Sequence, residues 1–184
     1  MSKNVRPLLA ALCVVLGTAA ILWLMGRPPL YKGGLIQLWG PVGPKQSQMI
    51  FDWYSASHVI HGFLFYGILH LVGRPKKPEQ RLLLATIVES AWELVENSPV
   101  IINRYREATI ALGYRGDTIL NSVSDILLMI AGFLLAKRLP VWASVMIVLV
   151  LEFVPLAIIR DNLTLNVWML LAPNDAIRHW QAGA

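Results

Sequence analysis

The stretch PLLAALCVVLGTAAILWLM, from Pro7 to Met25, holds nineteen consecutive residues without a charge and decides the class of this protein. A helix that crosses the hydrocarbon core of a bilayer needs about 20 apolar residues. Lys3 and Arg6 precede the stretch, and a secretory signal peptide begins in the same way. No small-x-small cleavage site follows the apolar run, so the sequence predicts an uncleaved first transmembrane helix over 7–25.

The composition of the whole chain agrees with this class. Of its 184 residues, 56% are hydrophobic and 15% are charged, whereas soluble domains average about 25% charged residues. The mean hydropathy is +0.56. These values exclude a disordered chain, and they argue against a soluble enzyme with one buried core. The single Cys13 excludes an internal disulfide and a CxxC metal or redox motif.

The net charge of +5 comes from short basic runs beside apolar segments, such as Lys137-Arg138. Cations at these positions meet anionic lipid headgroups and set the orientation of the chain. No nucleic-acid-binding motif accompanies them. The predicted partners are therefore membrane lipids and not nucleic acid.

Further apolar segments predict an all-α, polytopic transmembrane helix bundle in a single membrane domain over 1–184. The five predicted spans are 7–25, 52–72, 82–102, 118–135 and 141–159. Residues 163–172 are apolar but too few to span, which favours a re-entrant or interfacial sixth segment. The basic residues divide evenly between the two sides. Those in the short loops at 73–81 and 137–138 lie tightest against span ends, which places the N-terminus in the cytoplasm.

Ionisable residues inside the spans distinguish this chain from a simple membrane anchor. A carboxylate near the bilayer centre costs about 2.5–3.5 kcal/mol, so such groups turn inward and find partners. The polar residues predicted to be buried are His58, His61, Glu89, Glu93, Glu96, Asn97, Asp117, Asn121, Asp125 and Glu152. Asp117 is also a candidate N-cap of the following helix, as is Thr118.

Helix geometry predicts that four spans bring these groups to one depth. At about 1.5 Å per residue, His58 and Asp125 lie about 9–10 Å after the starts of their spans. Glu96 and Glu152 lie about 9–10 Å before the ends of theirs. Because consecutive spans alternate in direction, all four positions fall on the same side of the membrane.

Imidazole and carboxylate groups at this level suggest a metal site for Zn or Fe. His58 and His61, which share a helix face, are the candidate ligands. Glu93, Glu96 and Asp125 are candidate ligands or the catalytic acid–base pair of an enzyme acting on a lipid or envelope precursor. Two alternatives stay open: a buried polar network that only holds the bundle together, and a path for ions or protons in a transporter.

Three motifs resemble a known family of small bacterial membrane proteins. They are SHVIHG from Ser57, ESAWELVENSP from Glu89 and YRGDTILNSVSD from Tyr114. With these residues the chain resembles Uncharacterised Protein Family 0314, also catalogued as domain of unknown function 2585. The resemblance covers nearly the whole chain and implies the bacterial plasma membrane, without an established activity.

A fainter resemblance is to VanZ-like membrane proteins. Those proteins pair a glutamate in one span with a D-x-x-x-N helix start in the next. Here the pair would be Glu93 with Asp117 and Asn121, although Ser124 and Leu128 stand where that family has glycines. This resemblance implies a non-enzymatic assembly or resistance factor.

Overall fold

The structure, a computed structural model, describes residues 5–73, 77–109 and 113–183. Over these ranges it is all-helical, as predicted, and its only strand-like pairing is an isolated bridge between Trp39 and Phe51. The helices are α1 (Val5–Leu24), α2 (Ser55–Val72), α3 (Pro78–Glu96), α4 (Pro99–Ala108), α5 (Ile119–Arg138), α6 (Val141–Ile159), α7 (Leu163–Leu171) and α8 (Asp175–Gln181).

Four helices, α1, α2, α5 and α6, are long and apolar enough to cross a membrane. Two of them leave most of their apolar surface outside the bundle. Pro155 is the only buried residue of α6, and Leu16 and Trp23 of α1 are more than half exposed. Exposed apolar helix faces of this extent suit contact with lipid.

The third span, predicted over 82–102, is not one continuous helix. The chain forms α3 and then breaks at Asn97 and Ser98 before α4 begins. Ser98 caps α4, accepting a hydrogen bond from the backbone N–H of Ile101, and Pro99 occupies the first helical position. A proline suits a helix start and disfavours helical geometry in the residue before it. The structure thus supports four candidate spans, where the sequence predicts five.

The other predicted boundaries agree with the structure to within a few residues. The fifth predicted span, 141–159, has the bounds of α6, and the short apolar segment 163–172 forms α7. The C-terminal helix α8 was not predicted. Lys3, Arg74 and Lys76, which enter the orientation argument, lie outside the described residues.

Side-chain caps explain where three of the helices begin. Thr118 caps α5 by accepting a hydrogen bond from the backbone N–H of Asn121. Asn162 and Asn174 cap α7 and α8 in the same way. Asp117, the other candidate cap of α5, instead turns its carboxylate toward α3. The carboxylate of Asp117 therefore does not cap α5 and is hydrogen-bonded to Asn97 instead.

The core of the bundle forms where α2, α3 and α5 meet. Its buried cluster consists of Leu82, Ala85, Met129 and Phe133. The backbones of α2 and α5 approach so closely that only glycine fits at Gly62 and Gly132. A Cβ at either position would collide with backbone atoms of the other helix. Small residues allow the same close approach between helices in membranes.

At one end of the bundle, a buried aspartate ties the start of α2 to the C-terminal segment. Asp161 accepts hydrogen bonds from the Tyr54 hydroxyl at 2.6 Å and the Gln181 amide at 3.0 Å. It is 3% exposed, and this burial raises its pKa above the usual value for an aspartate. The loop Arg160-Asp161 thus joins three parts of the chain.

We expect Gly132→Ala to destabilise the protein by about 1–3 kcal/mol, because its methyl group overpacks the contact with Val59. Gly67→Ala is the matched control, since Gly67 has open space around it. Thermal unfolding in detergent measures both variants. Equal stability of the two would contradict the close approach of α2 and α5.

We also expect the stability difference between wild type and Asp161→Asn to depend on pH. The folded pKa of Asp161 lies above its unfolded value, so its stabilising contribution is complete below the unfolded pKa of about 3.8 and is lost as pH rises through the folded pKa. Wild type should therefore lose stability relative to the variant as the pH rises above about 3.8. Unfolding midpoints in a pH series check this, and a pH-independent difference would contradict it.

Candidate functional site

The polar stripes of α2, α3 and α5 meet at a buried glutamate, Glu89, which has no exposed surface. Its carboxylate lies 2.6 Å from Nδ1 of His58 and 3.0 Å from Nδ1 of His61. An ionised carboxylate only accepts hydrogen bonds, so each imidazole donates its Nδ1–H to Glu89. This arrangement leaves Nε2 of both rings as the atom with a free lone pair.

The other side of the His58 ring faces α5. Its Nε2 lies 3.8 Å from Oδ2 of Asp125, a distance too long for a hydrogen bond. The second carboxylate oxygen of Asp125 accepts a long hydrogen bond of 3.4 Å from the Ser55 hydroxyl. Two ligand atoms of a tetrahedral zinc ion lie about 3.4 Å apart, given metal–ligand distances of about 2.1 Å. The spacing of Nε2 and Oδ2 is therefore close to that of two ligands of one ion.

Glu93 is the least satisfied buried group of this region. It is fully buried, and within the described chain neither carboxylate oxygen has a hydrogen-bond partner. Its Oε1 lies 3.6 Å from Nδ1 of His58. A buried carboxylate without a partner is costly and requires a proton or a cation. One ligand atom from each of His58, Glu93 and Asp125 lies within 4.8 Å of the others, close enough to share a metal ion.

A cavity of about 160 Å³ opens beside this cluster, at the end of the bundle where α2 and α5 begin and α3 ends. Liquid water occupies about 30 Å³ per molecule, so the cavity has room for a few waters or a small polar headgroup. Its side chains include His58, His61, Asp52, Glu96, Asp117, Asp125, Asn121, Trp92, Tyr54, Tyr105, Tyr114 and Asn166. Lysine and arginine are absent from this lining, as far as the structure describes the chain.

Asp117 lies in the loop before α5 and is held on both carboxylate oxygens. Oδ2 accepts a hydrogen bond from the Asn97 amide at 2.9 Å, and Oδ1 accepts one from the Tyr114 hydroxyl at 2.9 Å. Burial raises the pKa of Asp117 to about 6, although these two hydrogen bonds pull in the opposite direction. Burial, with the nearby Asp117, also raises the pKa of Tyr114, so this hydroxyl stays a donor. Asp117 is thus oriented toward the cavity.

Tyr105 of α4 connects the end of α3 to α7. Its hydroxyl oxygen lies 3.0 Å from Oε1 of Glu96 and 3.0 Å from Oδ1 of Asn166. Burial, followed by the charge of Glu96, raises the pKa of Tyr105. Because the chain changes direction between α3 and α4, the hydroxyl of Tyr105 in α4 reaches the carboxylate of Glu96 at the end of α3.

The structure brings most of the predicted site residues together. His58, His61, Glu96 and Asp125 line the cavity, and Glu93 lies directly behind it. Asp117 and Asn121 line it as well, while Glu89 and Asn97 support it from behind.

The predicted convergence of four helices is wrong for Glu152. Its carboxylate accepts a 2.6 Å hydrogen bond from the hydroxyl of Thr164 and does not line the cavity. The depth estimate places Glu152 at the right level, but its side chain points to the short helix α7. Depth along a helix does not define the direction of a side chain around it.

Sequence reasoning missed the tyrosines and the role of Glu89. Tyr54, Tyr105 and Tyr114 lie in loops or in α4, outside the predicted polar stripes. The only signal for Tyr114 was its place three residues before Asp117. Glu89 appeared as one of three glutamates on a helix, and only the structure shows that it holds both imidazoles.

We expect Glu89→Gln to lower the free energy of unfolding by about 1.5–3 kcal/mol, because glutamine cannot accept both charge-assisted hydrogen bonds. The loss should be accompanied by a change of histidine tautomer, seen in nitrogen-15 NMR spectra. Glu107→Gln is the matched control on an exposed glutamate of α4. Unchanged histidine signals in Glu89→Gln would contradict this hydrogen-bonding pattern.

Comparisons with known proteins place the chain in a family. Residues 22–183 match the family model described as "Protein of unknown function (DUF2585)". A UPF0314 protein of Rhizobium meliloti (strain 1021) is 55% identical, over 96% of this chain and 90% of its own. A UPF0314 protein of Sphingopyxis alaskensis is 53% identical, over 95% of this chain and 94% of its own. No solved structure matches the chain significantly. The chain therefore belongs to the UPF0314 family of bacterial proteins, whose function is unknown.

Proposed function

We propose that this protein is a small metal-dependent membrane enzyme that hydrolyses a bond in a lipid or a lipid-linked envelope precursor. One observation carries the proposal. Glu89 accepts a hydrogen bond from Nδ1 of both His58 and His61. Nε2 of His58 therefore keeps its lone pair and lies 3.8 Å from Oδ2 of Asp125, at the wall of the cavity. Histidines that bind metals commonly donate their other ring N–H to a carboxylate in this way.

The donor set suits a zinc or ferrous ion. His58 supplies an imidazole nitrogen, and Asp125 and Glu93 supply carboxylate oxygens. An ion held by three protein ligands keeps a position for water and lowers the pKa of that water toward neutrality. The buried oxygens of Glu93, which have no hydrogen-bond partner in the described chain, would gain a cation as partner.

In the proposed hydrolysis, the oxygen of the activated water forms a bond to the electrophilic carbon or phosphorus of the substrate. The bond to the leaving group breaks, and the leaving group takes up a proton. The water would lose a proton to Nε2 of His61, which has the free lone pair, and His61 would pass that proton to the leaving group. His61 suits this role because it lines the cavity and its side chain is 17% exposed, more than that of His58. Glu96 and its hydrogen-bonded Tyr105 provide a second acid–base group at the same wall.

The proposed setting is the bacterial plasma membrane, with the N-terminus in the cytoplasm and α3 as a fifth span. Lys77 precedes α3 and Arg81 lies in its first turn, and Lys137 and Arg138 end α5. These cations suit the cytoplasmic side. The cavity lies at the opposite end of α2, α3 and α5. In the proposed orientation this end would be at the outer leaflet, where a lipid headgroup would enter sideways.

A non-enzymatic alternative has one observation in its favour. The buried hydrogen bonds among Asn97, Asp117 and Tyr114 join α3 to the start of α5 and would stabilise the bundle without any chemistry. In that case, substitutions in the cluster would lower stability and would remove no activity. The same comparison of variants therefore decides between the two functions.

We expect His58→Gln and Asp125→Asn to lose the bound zinc and at least about 100-fold of hydrolytic activity, while the protein stays folded. The matched control is His70→Gln on the same helix, since His70 contacts Arg81 and lies away from the cavity. Elemental analysis of protein purified without chelator measures the metal. Mass spectrometry of products from bacterial membrane lipid extract measures the activity.

The following results would contradict the proposed metal-dependent hydrolysis. Wild-type protein without bound metal, and variants that lose thermal stability with no change in lipid products, would support the structural network. Retained metal in folded His58→Gln would show that His58 is not a ligand.

A further inference from the structure

We propose that a second divalent cation binds beside the first, held by Glu93, Glu96 and Asp117, with Glu93 bridging the two ions. The first ion is the one bound by His58, Glu93 and Asp125 in the proposed function. The inference rests on that function because it assumes that this first ion is bound. The two sites share Glu93, whereas Glu96 and Asp117 belong to the second site alone. One carboxylate oxygen from each of Glu93, Glu96 and Asp117 lies within 4.8 Å of the other two.

Glu93 carries the inference because it belongs to both groups of ligands. With His58 and Asp125, Glu93 forms another set of possible metal ligands whose ligand atoms lie within 4.8 Å of one another. It is 0% exposed, and both of its oxygens are buried without a hydrogen-bond partner in the described chain. A single cation satisfies both oxygens only if the carboxylate chelates it; bound through one oxygen, it leaves the other without a partner. Two cations, one for each oxygen, would satisfy both.

The other two carboxylates are held in place by neighbours, as metal ligands usually are. Asp117 accepts hydrogen bonds from Asn97 and Tyr114, and Glu96 lies 3.0 Å from the hydroxyl of Tyr105. Each carboxylate oxygen has two lone pairs, so one hydrogen bond leaves the other lone pair for a ligand. The supporting residues thus orient the carboxylates without consuming their capacity to bind an ion.

The electrostatics of the cavity favour additional positive charge. Asp52, Glu96, Asp117 and Asp125 line it, and Glu89 and Glu93 lie behind it. Facing these carboxylates, the described lining offers only the imidazoles of His58 and His61 as cationic groups. Two divalent ions would offset four of the six negative charges that these carboxylates carry when ionised.

The chemistry of the second set differs from that of the first. It offers carboxylate oxygens and no imidazole, which suits a hard cation such as Mg²⁺ or Mn²⁺. Two-metal enzymes hold their ions about 3.5–4 Å apart, often with a shared carboxylate, and hydrolyse bonds between them. The expected centre is therefore mixed, with a zinc-class ion at His58 and Asp125 and a magnesium-class ion at Glu96 and Asp117.

The test is a titration of Mn²⁺ into the full-length protein in detergent, with and without prior loading with Zn²⁺. Electron paramagnetic resonance measures free and bound Mn²⁺, and elemental analysis counts both metals. Wild type should bind about one Mn²⁺ besides about one Zn²⁺. Asp117→Asn should weaken Mn²⁺ binding at least tenfold and leave Zn²⁺ binding unchanged.

Asp161→Asn is the matched control, because Asp161 is also buried and bonded to a tyrosine and an amide but lies outside the cluster. It should bind both metals like wild type. Glu96→Gln is the second variant if Asp117→Asn fails to fold, since Glu96 is only partly buried at the end of α3. It should show the same selective loss of Mn²⁺.

The outcomes separate the two proposals. Zn²⁺ binding that depends on His58, with no bound Mn²⁺ or with Mn²⁺ binding unaffected in folded Asp117→Asn and Glu96→Gln, would overturn the second site alone. Mn²⁺ binding that depends on Asp117, in a protein that never binds Zn²⁺, would overturn the first site and support the second. Loss of both metals in Glu93→Gln, with His58→Gln losing only Zn²⁺ and Asp117→Asn losing only Mn²⁺, would establish the bridging role.

Discussion

Glu89 and the two imidazoles that it holds form the interaction on which the site depends. The glutamate lies in the middle of α3 with no exposed surface, and α2 supplies both rings from one face, as residues three positions apart. Burying this carboxylate without donors would be costly. The helices are therefore tied in one register, and that register turns the free face of His58 toward Asp125.

Close packing and polar pairing support each other in this bundle. Gly62 follows His61 directly and allows α5 to approach α2, which brings Asp125 within 3.8 Å of His58. At the lipid-facing side, α6 keeps its apolar residues outward and leaves Pro155 as its one buried residue. The ionisable groups of the candidate site, among them His58, Glu89, Glu93 and Asp125, lie in the interior of the bundle, away from these apolar faces. The cavity opens where these groups are most numerous.

Much of the site followed from residue types and helix periodicity. The stripes of His58 with His61 and of Glu89 with Glu93 each occupy one helix face, and a charged stripe in an apolar helix turns inward. Rise per residue then placed His58, Glu96 and Asp125 at one level, and they line one cavity. Glu152 failed the same argument because depth carries no information about the direction around the helix.

The sequence by itself determined the membrane class, the all-helical fold and the inward polar stripes, since apolar length and periodicity are local properties of the chain. The tertiary structure alone decided which partner each buried group has. It brought Tyr105 of α4 to the carboxylate of Glu96 and both imidazoles to Glu89, and it left Glu93 without a hydrogen-bond partner in the described chain. Such pairings depend on helix rotation and close approach, which are set by contacts between residues far apart in the chain.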